Sequence, residues 1–261
     1  MKKPKEIIAL EKVYSIQLQQ TFEKDDILNG DRNNLFFLDK KGKVSGLNLS
    51  NNKIDSIKGF ENFKELLYLN FYNNSITIIE DLQQLCKLEI LILSQNKIVK
   101  LSEISNCNLK ILNLISNQIT KIKGLEKLKN LEEIYLTLNH IKEIDGFDNL
   151  KNLKILKIDF NYLTEVDFLT FRNCNLEYLD LRNNWIVKIK NTVILKQIKQ
   201  INLMFNQIRE MEAIKEIVNF KPINLINVEG NPFLKETGLE LHGFGYENHL
   251  KDLRKYFNSQ C

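Results

Sequence analysis

Nine asparagines recur along this chain at an almost constant interval, and the residues around each are nearly the same. They are Asn52, Asn74, Asn96, Asn117, Asn139, Asn161, Asn184, Asn206 and Asn231, with spacings of 22, 22, 21, 22, 22, 23, 22 and 25. One instance runs Leu109-Lys-Ile-Leu112-Asn-Leu114-Ile-Ser-Asn117-Gln-Ile119-Thr-Lys-Ile122, or L-x-x-L-x-L-x-x-N-x-I-x-x-I. A strand alternates its side chains, so Leu112 and Leu114 face one way and Asn113 the other. The asparagine falls where the strand ends and main-chain groups lose their ladder partners. Its amide can both donate to and accept from them. One such unit cannot bury its apolar side alone; neighbours must supply the other wall. The period therefore dictates a solenoid.

The segments between strands carry a second pattern, as in Ile57-Lys-Gly59-Phe60-x-x-Phe63-x-x-Leu66 and Ile144-Asp-Gly146-Phe147-x-x-Leu150-x-x-Leu153. Its i, i+3 spacing fits a single turn of 3₁₀ or α-helix, which predicts a gently curved array. The widest interval leaves room for a fuller helix around 213–220. Upstream, Ile7, Leu10, Tyr14, Leu18 and Phe22 predict a helix over about 5–24, either a cap or a partner-binding element. Leu35-Phe-Phe-Leu-Asp-Lys-Lys-Gly42-Lys-Val44 reads as a hairpin that closes the N-terminal edge. Beyond Asn231-Pro232-Phe233, the spacing of Tyr246, Leu250, Leu253 and Phe257 predicts a closing helix. The expected organisation is an N-terminal helical cap and edge hairpin (1–43), nine repeats (44–233) and a C-terminal capping helix (234–261).

The net charge of +4 is small against 37 basic and 33 acidic residues. Interspersed charge of this kind marks a solvated surface rather than a nucleic-acid footprint. Cys86, Cys107 and Cys174 each stand two residues before a repeat's first leucine, a register that suggests a small apolar filler. With Cys261 they form no C-x-x-C pair and no cluster with His140, His242 or His249, so neither a metal nor another cofactor is expected. The basic start lacks a long apolar core, and no stretch is apolar enough to span a membrane. These features point to an intracellular, reducing, cytoplasmic setting, with nucleus and cytoskeleton as alternatives.

The consensus L-x-x-L-x-L-x-x-N-x-I-x-x-I-x-G-L-x-x-L resembles the 22-residue class of leucine-rich repeat proteins. That class includes a nuclear regulatory subunit of protein phosphatase 1, an axonemal dynein light chain and the bacterial internalins. The resemblance covers about three-quarters of the chain. It implies an α/β leucine-rich repeat solenoid, a curved horseshoe with a parallel concave β-sheet, short 3₁₀ or helical convex segments and helical caps. Internalins are secreted, and no export signal of theirs is seen here. The stretch Leu38-Asp-Lys-Lys-Gly42-Lys-Val44-Ser-Gly-Leu47-Asn-Leu49 looks like the opening of many bacterial and protist arrays. The stretch His249-Leu250-Lys-Asp-Leu253-Arg-Lys-Tyr256-Phe257 is similar to the helix that closes arrays ahead of a GTPase module. No glycine-lysine phosphate loop accompanies it, so that activity is not carried over.

Residues between the inward leucines point to the concave side. There Tyr68, Tyr72, Ile90, Ile92, Ile111, Ile115 and Tyr135 form adjacent apolar positions across repeats two to five. Lys157, Asp159, Asp180 and Arg182 follow as a mixed-charge cluster flanked by Phe160, Tyr178 and Phe205. An apolar, aromatic patch of this size usually marks a protein contact, the alternative being that β-propensity alone places Ile and Tyr on strands. Trp185, just after a repeat asparagine, is either a rim anchor or packed under the loop. The same face mixes Lys110, Lys154 and Lys199 with Glu89, Glu132, Glu133, Glu177 and Glu229, which repels phosphate as much as it attracts it. No nucleophile, base and acid come together for catalysis. The expectation is a non-catalytic scaffold that binds a protein, alone as a monomer or as a subunit of a complex. Phosphatase regulation and a cytoskeletal or axonemal assembly are narrower alternatives.

Overall fold

The computed structural model describes residues 2–101, 104, 108–195, 197–243 and 248–260. Helix α1 (Lys5–Tyr14) buries Ile7 and Leu10 and ends at Ser15, whose φ of 54° is left-handed. The expected helix over 5–24 therefore stops short. Leu18 is buried in the loop beyond it, strand β1 (Gln19–Thr21) follows, and Phe22 is exposed. A one-turn helix α2 (Asp25–Leu28) leads to β2 (Leu35–Leu38). Strand β2 pairs antiparallel with β3 (Val44–Asn48) around the turn bearing Gly42, and β1 adds to its other side in parallel. The hairpin is thus an inner part of the sheet, and β1 forms its edge.

From β3 the sheet runs parallel through β4 (Tyr68–Asn70), β5 (Ile90–Ile92), β6 (Ile111–Asn113), β7 (Glu133–Tyr135) and β8 (Ile155–Lys157). A two-stranded side sheet joins β9 (Glu165–Asp167) to β11 (Lys188–Lys190), a pairing the repeat pattern did not announce. The main sheet continues through β10 (Tyr178–Asp180), β12 (Gln200–Asn202) and β13 (Leu225–Asn227), giving eleven strands among the described residues. Pairing sets Leu47, Leu69, Leu91, Leu112, Ile134, Leu156, Leu179, Ile201 and Ile226 side by side. All are fully buried, so one continuous core runs the length of the curved solenoid.

Returning segments turn by i→i+3 main-chain bonds, as from Leu66 to Phe63 (3.2 Å) and from Leu153 to Leu150 (3.0 Å). The widest interval holds α3 (Glu212–Val218). Two helices close the chain, α4 (Pro232–Thr237) and α5 (Leu250–Ser259), and α5 buries Leu253 and Phe257. Tyr246, expected on that helix, lies outside the described residues. Just before α5, His249 is buried. It donates its main-chain N–H to the Ile226 carbonyl (3.0 Å) and accepts the Val228 N–H on Nδ1 (3.3 Å). The outer edge of β13 is satisfied in this way.

Eight of the nine repeat asparagines tie two turns together, whereas the first, Asn52, donates to Asn34 Oδ1 (2.8 Å) and the Ser50 carbonyl (2.8 Å). The Asn117 amide donates to the carbonyls of Leu93 (2.9 Å) and Leu114 (3.1 Å), and its oxygen accepts the Ile98 N–H (3.0 Å). Asn74, Asn96, Asn139, Asn161, Asn184, Asn206 and Asn231 repeat this arrangement. Of the cysteines, Cys174 is half-buried with Sγ 3.4 Å from the Phe147 carbonyl. Cys86 is exposed, so it is not the apolar filler its register suggested. Cys107 and Cys261 lie outside the described residues.

Candidate functional site

The strand registers assemble the predicted concave residues into rows. Tyr68, Ile90 and Ile111 are direct neighbours on β4, β5 and β6; Ile92, Asn113 and Tyr135 are neighbours one position over. Ile90, Ile92, Ile111, Ile115 and Tyr135 are half-buried, their outer surfaces facing the concave side. Tyr68 and Tyr72 are engaged within the chain. Lys24 Nζ lies 4.5 Å from the centre of the Tyr68 ring, and Gly30 packs on Tyr72. A Cβ at Gly30 would lie 2.8 Å from that ring, so only glycine fits the approach.

Behind this contact is the segment 24–34, which lies across the first two repeat strands. The Asn48 amide donates to the carbonyls of Asp26 (2.9 Å), Asn29 (2.8 Å) and Arg32 (2.7 Å), and the Asn70 amide to that of Ile27 (3.0 Å). Asp26 braces the segment by accepting from the Thr21 hydroxyl (2.5 Å) and Arg32 (2.8 Å), bonds that hold its carboxyl below the usual range. Periodicity gave no signal for any of this, because the segment carries no repeat.

The charged cluster divides in two. Asp159 and Asp180 are 1 % and 2 % exposed and share one guanidinium, with Arg182 Nε 3.4 Å from Asp159 and 3.5 Å from Asp180. Thr137 donates its hydroxyl to Asp159 (2.6 Å). Burial, with the Asp159 charge beside it, pushes Asp180 up to about 6. Lys157 instead stands between two rings, 5.5 Å from the centre of Tyr135 and 5.7 Å from that of Tyr178. Burial raises the Tyr178 hydroxyl to about 12 and raises Tyr135 too, whose hydroxyl donates to Glu133. At the strands' start, Lys110–Glu89, Lys154–Glu132 and Lys199–Glu177 form exposed ion pairs, so those lysines make no free basic stripe.

Phe160 and Phe205 stand on the rim rather than on the floor. The residue before each repeat asparagine is left-handed, with φ of 60° at Asn51, 52° at Asn73, 57° at Leu138, 53° at Phe160, 54° at Phe205 and 75° at Gly230. Asparagine and glycine tolerate this backbone; leucine and phenylalanine are strained in it. Beside them Tyr162 and Trp185 are exposed, Trp185 at 57 %, which settles its place as a rim residue. Leu138, Phe160, Tyr162, Trp185 and Phe205 line an open depression of about 430 Å³. Leu138 and Tyr162 belong to this rim although the strand alternation gave no reason to select them. The left-handed position recurs in every repeat, so what sets this stretch apart is the group of exposed apolar and aromatic side chains it carries. Among the described residues no group of His, Cys, Asp and Glu could hold a metal ion, and no helix is long and apolar enough to cross a membrane.

Models of known families match two parts of the chain: "Leucine Rich repeats (2 copies)" over residues 129–170 and "Leucine Rich Repeat" over 175–196. Among solved structures, internalin C2 of Listeria monocytogenes is 27 % identical, with a TM-score of 0.58 over 71 % of this chain and 80 % of its own. A second internalin of that species, inlF, is 24 % identical, with a TM-score of 0.60 over 72 % of this chain and 54 % of its own. A leucine-rich repeat protein of Leptospira interrogans is similar at 20 % identity, with a TM-score of 0.54 over 85 % of this chain and 68 % of its own. By its repeat, its solenoid and these matches, the chain carries a leucine-rich repeat array.

Proposed function

We propose that this chain is a non-catalytic binding module that engages a protein partner through the concave face of its repeats. The observation that carries the reading is the floor formed by β5, β6 and β7. There Ile90, Ile92, Ile111 and Tyr135 stand in register with Ile115 just beyond β6, all half-buried. Apolar side chains gathered on a concave surface lose unfavourable hydration when a partner covers them. The rim of Leu138, Phe160, Tyr162, Trp185 and Phe205 extends the contact toward the later repeats. Solenoids of this kind use their concave surface for binding.

Affinity purification from native extract, with wild type and an Ile92→Asp/Tyr135→Ala variant side by side, tests the reading. A protein retained by the wild type and lost by the folded variant supports it. The same proteins in both lanes would move the site off the concave floor. What is captured also decides the narrower alternatives, a phosphatase catalytic subunit or a cytoskeletal or axonemal component.

A further inference from the structure

Four asparagines in the central column of the concave floor use their side chains in one way. The side-chain oxygen accepts the main-chain N–H two residues on: Asn48 from Ser50 (3.1 Å), Asn70 from Tyr72 (2.8 Å), Asn113 from Ile115 (3.1 Å) and Asn202 from Met204 (3.1 Å). This leaves the NH₂ group to donate across the floor. At Asn48 and Asn70 it is taken by four main-chain carbonyls of the 24–34 segment. At Asn113 and Asn202 it has no acceptor among the described residues. Asn202 also lines a depression of about 190 Å³ beside Asp180 and Arg182.

We propose that the floor reads main-chain carbonyls, and that 24–34 is a built-in example of the ligand. The occupant is an irregular or extended segment of a protein partner, abutting the chain's own segment and presenting carbonyls to Asn113 and Asn202. The inference rests on the concave-face reading and continues the interface already present at Asn48 and Asn70. Asn113 lies two strands beyond Asn70, roughly 10 Å away, and Asn202 four strands further, roughly 19 Å. About six residues of extended chain span that second interval. Between the two asparagines the segment crosses Tyr135, Lys157 and Asp180 of the same column. The shared Asp159–Asp180 pair, with one guanidinium for two carboxylates, favours a lysine or arginine at the distal end. Carbonyl reading is indifferent to side-chain identity, so affinity comes from the main chain and selectivity from Ile92, Ile115 and the acid pair.

The test pans a displayed library of random linear peptides against the immobilised full chain. Selected peptides are then measured against Asn113→Asp, Asn202→Asp and Ile92→Asp, each first checked for a wild-type melting profile. Aspartate keeps the acceptor for Ile115 or Met204 and removes only the donor, so the fold is preserved while a carbonyl is repelled. The expected result is a loss of about tenfold for each asparagine changed. A further loss is expected when one peptide amide is replaced by an ester, whose carbonyl accepts more weakly. Peptides that lose binding with Ile92→Asp but not with either aspartate variant would overturn the inference and leave the concave site standing. Peptides indifferent to all three variants, or none selected, would overturn both.

Discussion

Asp180 and Asn202 are paired neighbours on β10 and β12, and their side chains do the same work. Each oxygen accepts the N–H two residues on, from Arg182 at 3.2 Å and from Met204 at 3.1 Å. Only the charge differs. Asp180 therefore stands in an asparagine's place with a buried carboxylate, and its neighbour Asp159 is another.

That substitution makes folding pH-dependent in a definite direction. Asp180 is raised from 3.8 to about 6 in the folded chain, first by burial and then by Asp159. A folded-state value above the unfolded one means that the folded state binds the proton more readily. Stability thus rises as pH falls from about 6 toward 4, and the whole penalty is present above about 6. A rise of about two units corresponds to at most ~3 kcal/mol. Glu11, Asp26, Glu132, Asp167 and Asp252 are lowered, so what they contribute is lost only at more acid pH. Asp180→Asn keeps the Arg182 contact and leaves Asp159 to the guanidinium. We expect it to gain roughly 1–3 kcal/mol at pH 7 and much less at pH 4.5. Urea unfolding at the two pH values checks this; an equal gain at both would contradict the assignment.

The two kinds of asparagine predict different losses. Asn117→Ala removes two strong donor bonds and one acceptor bond at a buried site, leaving main-chain groups of two repeats unpaired. We expect roughly 3 kcal/mol or more. Asn113→Ala removes a single bond to Ile115 at a half-buried site, and we expect at most about 1 kcal/mol. Urea midpoints with unchanged slopes measure both. Equal losses would mean that the ladder does not carry the repeat junctions.

What could be read in the sequence follows from what is periodic. The nine asparagines, the inward leucines and the concave columns obey one local rule, and the strand registers align them residue by residue. The 15–34 region obeys no such rule. Leu18 and Phe22 match a helical interval, yet Ser15 turns left-handed and the chain enters β1, whose partner Leu35–Phe37 lies well along the sequence. Nonlocal pairing overrode a local pattern. The rim was legible in part: Phe160, Phe205 and Trp185 stood out as aromatic residues, whereas Leu138 did not, because it occupies a left-handed position that usually shows itself as Asn or Gly.

That left-handed position supplies a third expectation. Leu138 is half-exposed at φ 57°, while Leu136, two residues earlier, is fully buried. Leu138→Asn relieves roughly 1–2 kcal/mol of backbone strain and gives up about 1 kcal/mol of partial burial. We expect stability unchanged or higher by up to about 1 kcal/mol, with weaker partner capture. Leu136→Asn places an amide in the core and should unfold the array. Melting curves decide; a loss above about 1 kcal/mol for Leu138→Asn would show that the leucine is structural.

The contact between 24–34 and the floor predicts a local opening separable from global unfolding. Asn48 holds the segment by three carbonyl bonds, whereas the cores of α1 and the later repeats do not depend on it. Asn48→Asp keeps the bonds to Ser50 and turns the donor into a second acceptor facing those carbonyls. Loss of three such bonds at a buried site raises the open population steeply, while the repeats keep their own ladder. Trypsin should then cut after Lys24 and Arg32 at least about tenfold faster than in wild type, with a melting temperature lowered by only a few degrees. A cleavage rate unchanged from wild type would mean that Asp26, Gly30 and Tyr72 hold the segment without Asn48. A collapse of the melting temperature would mean that the segment is part of the fold's cooperative core rather than a ligand laid on it.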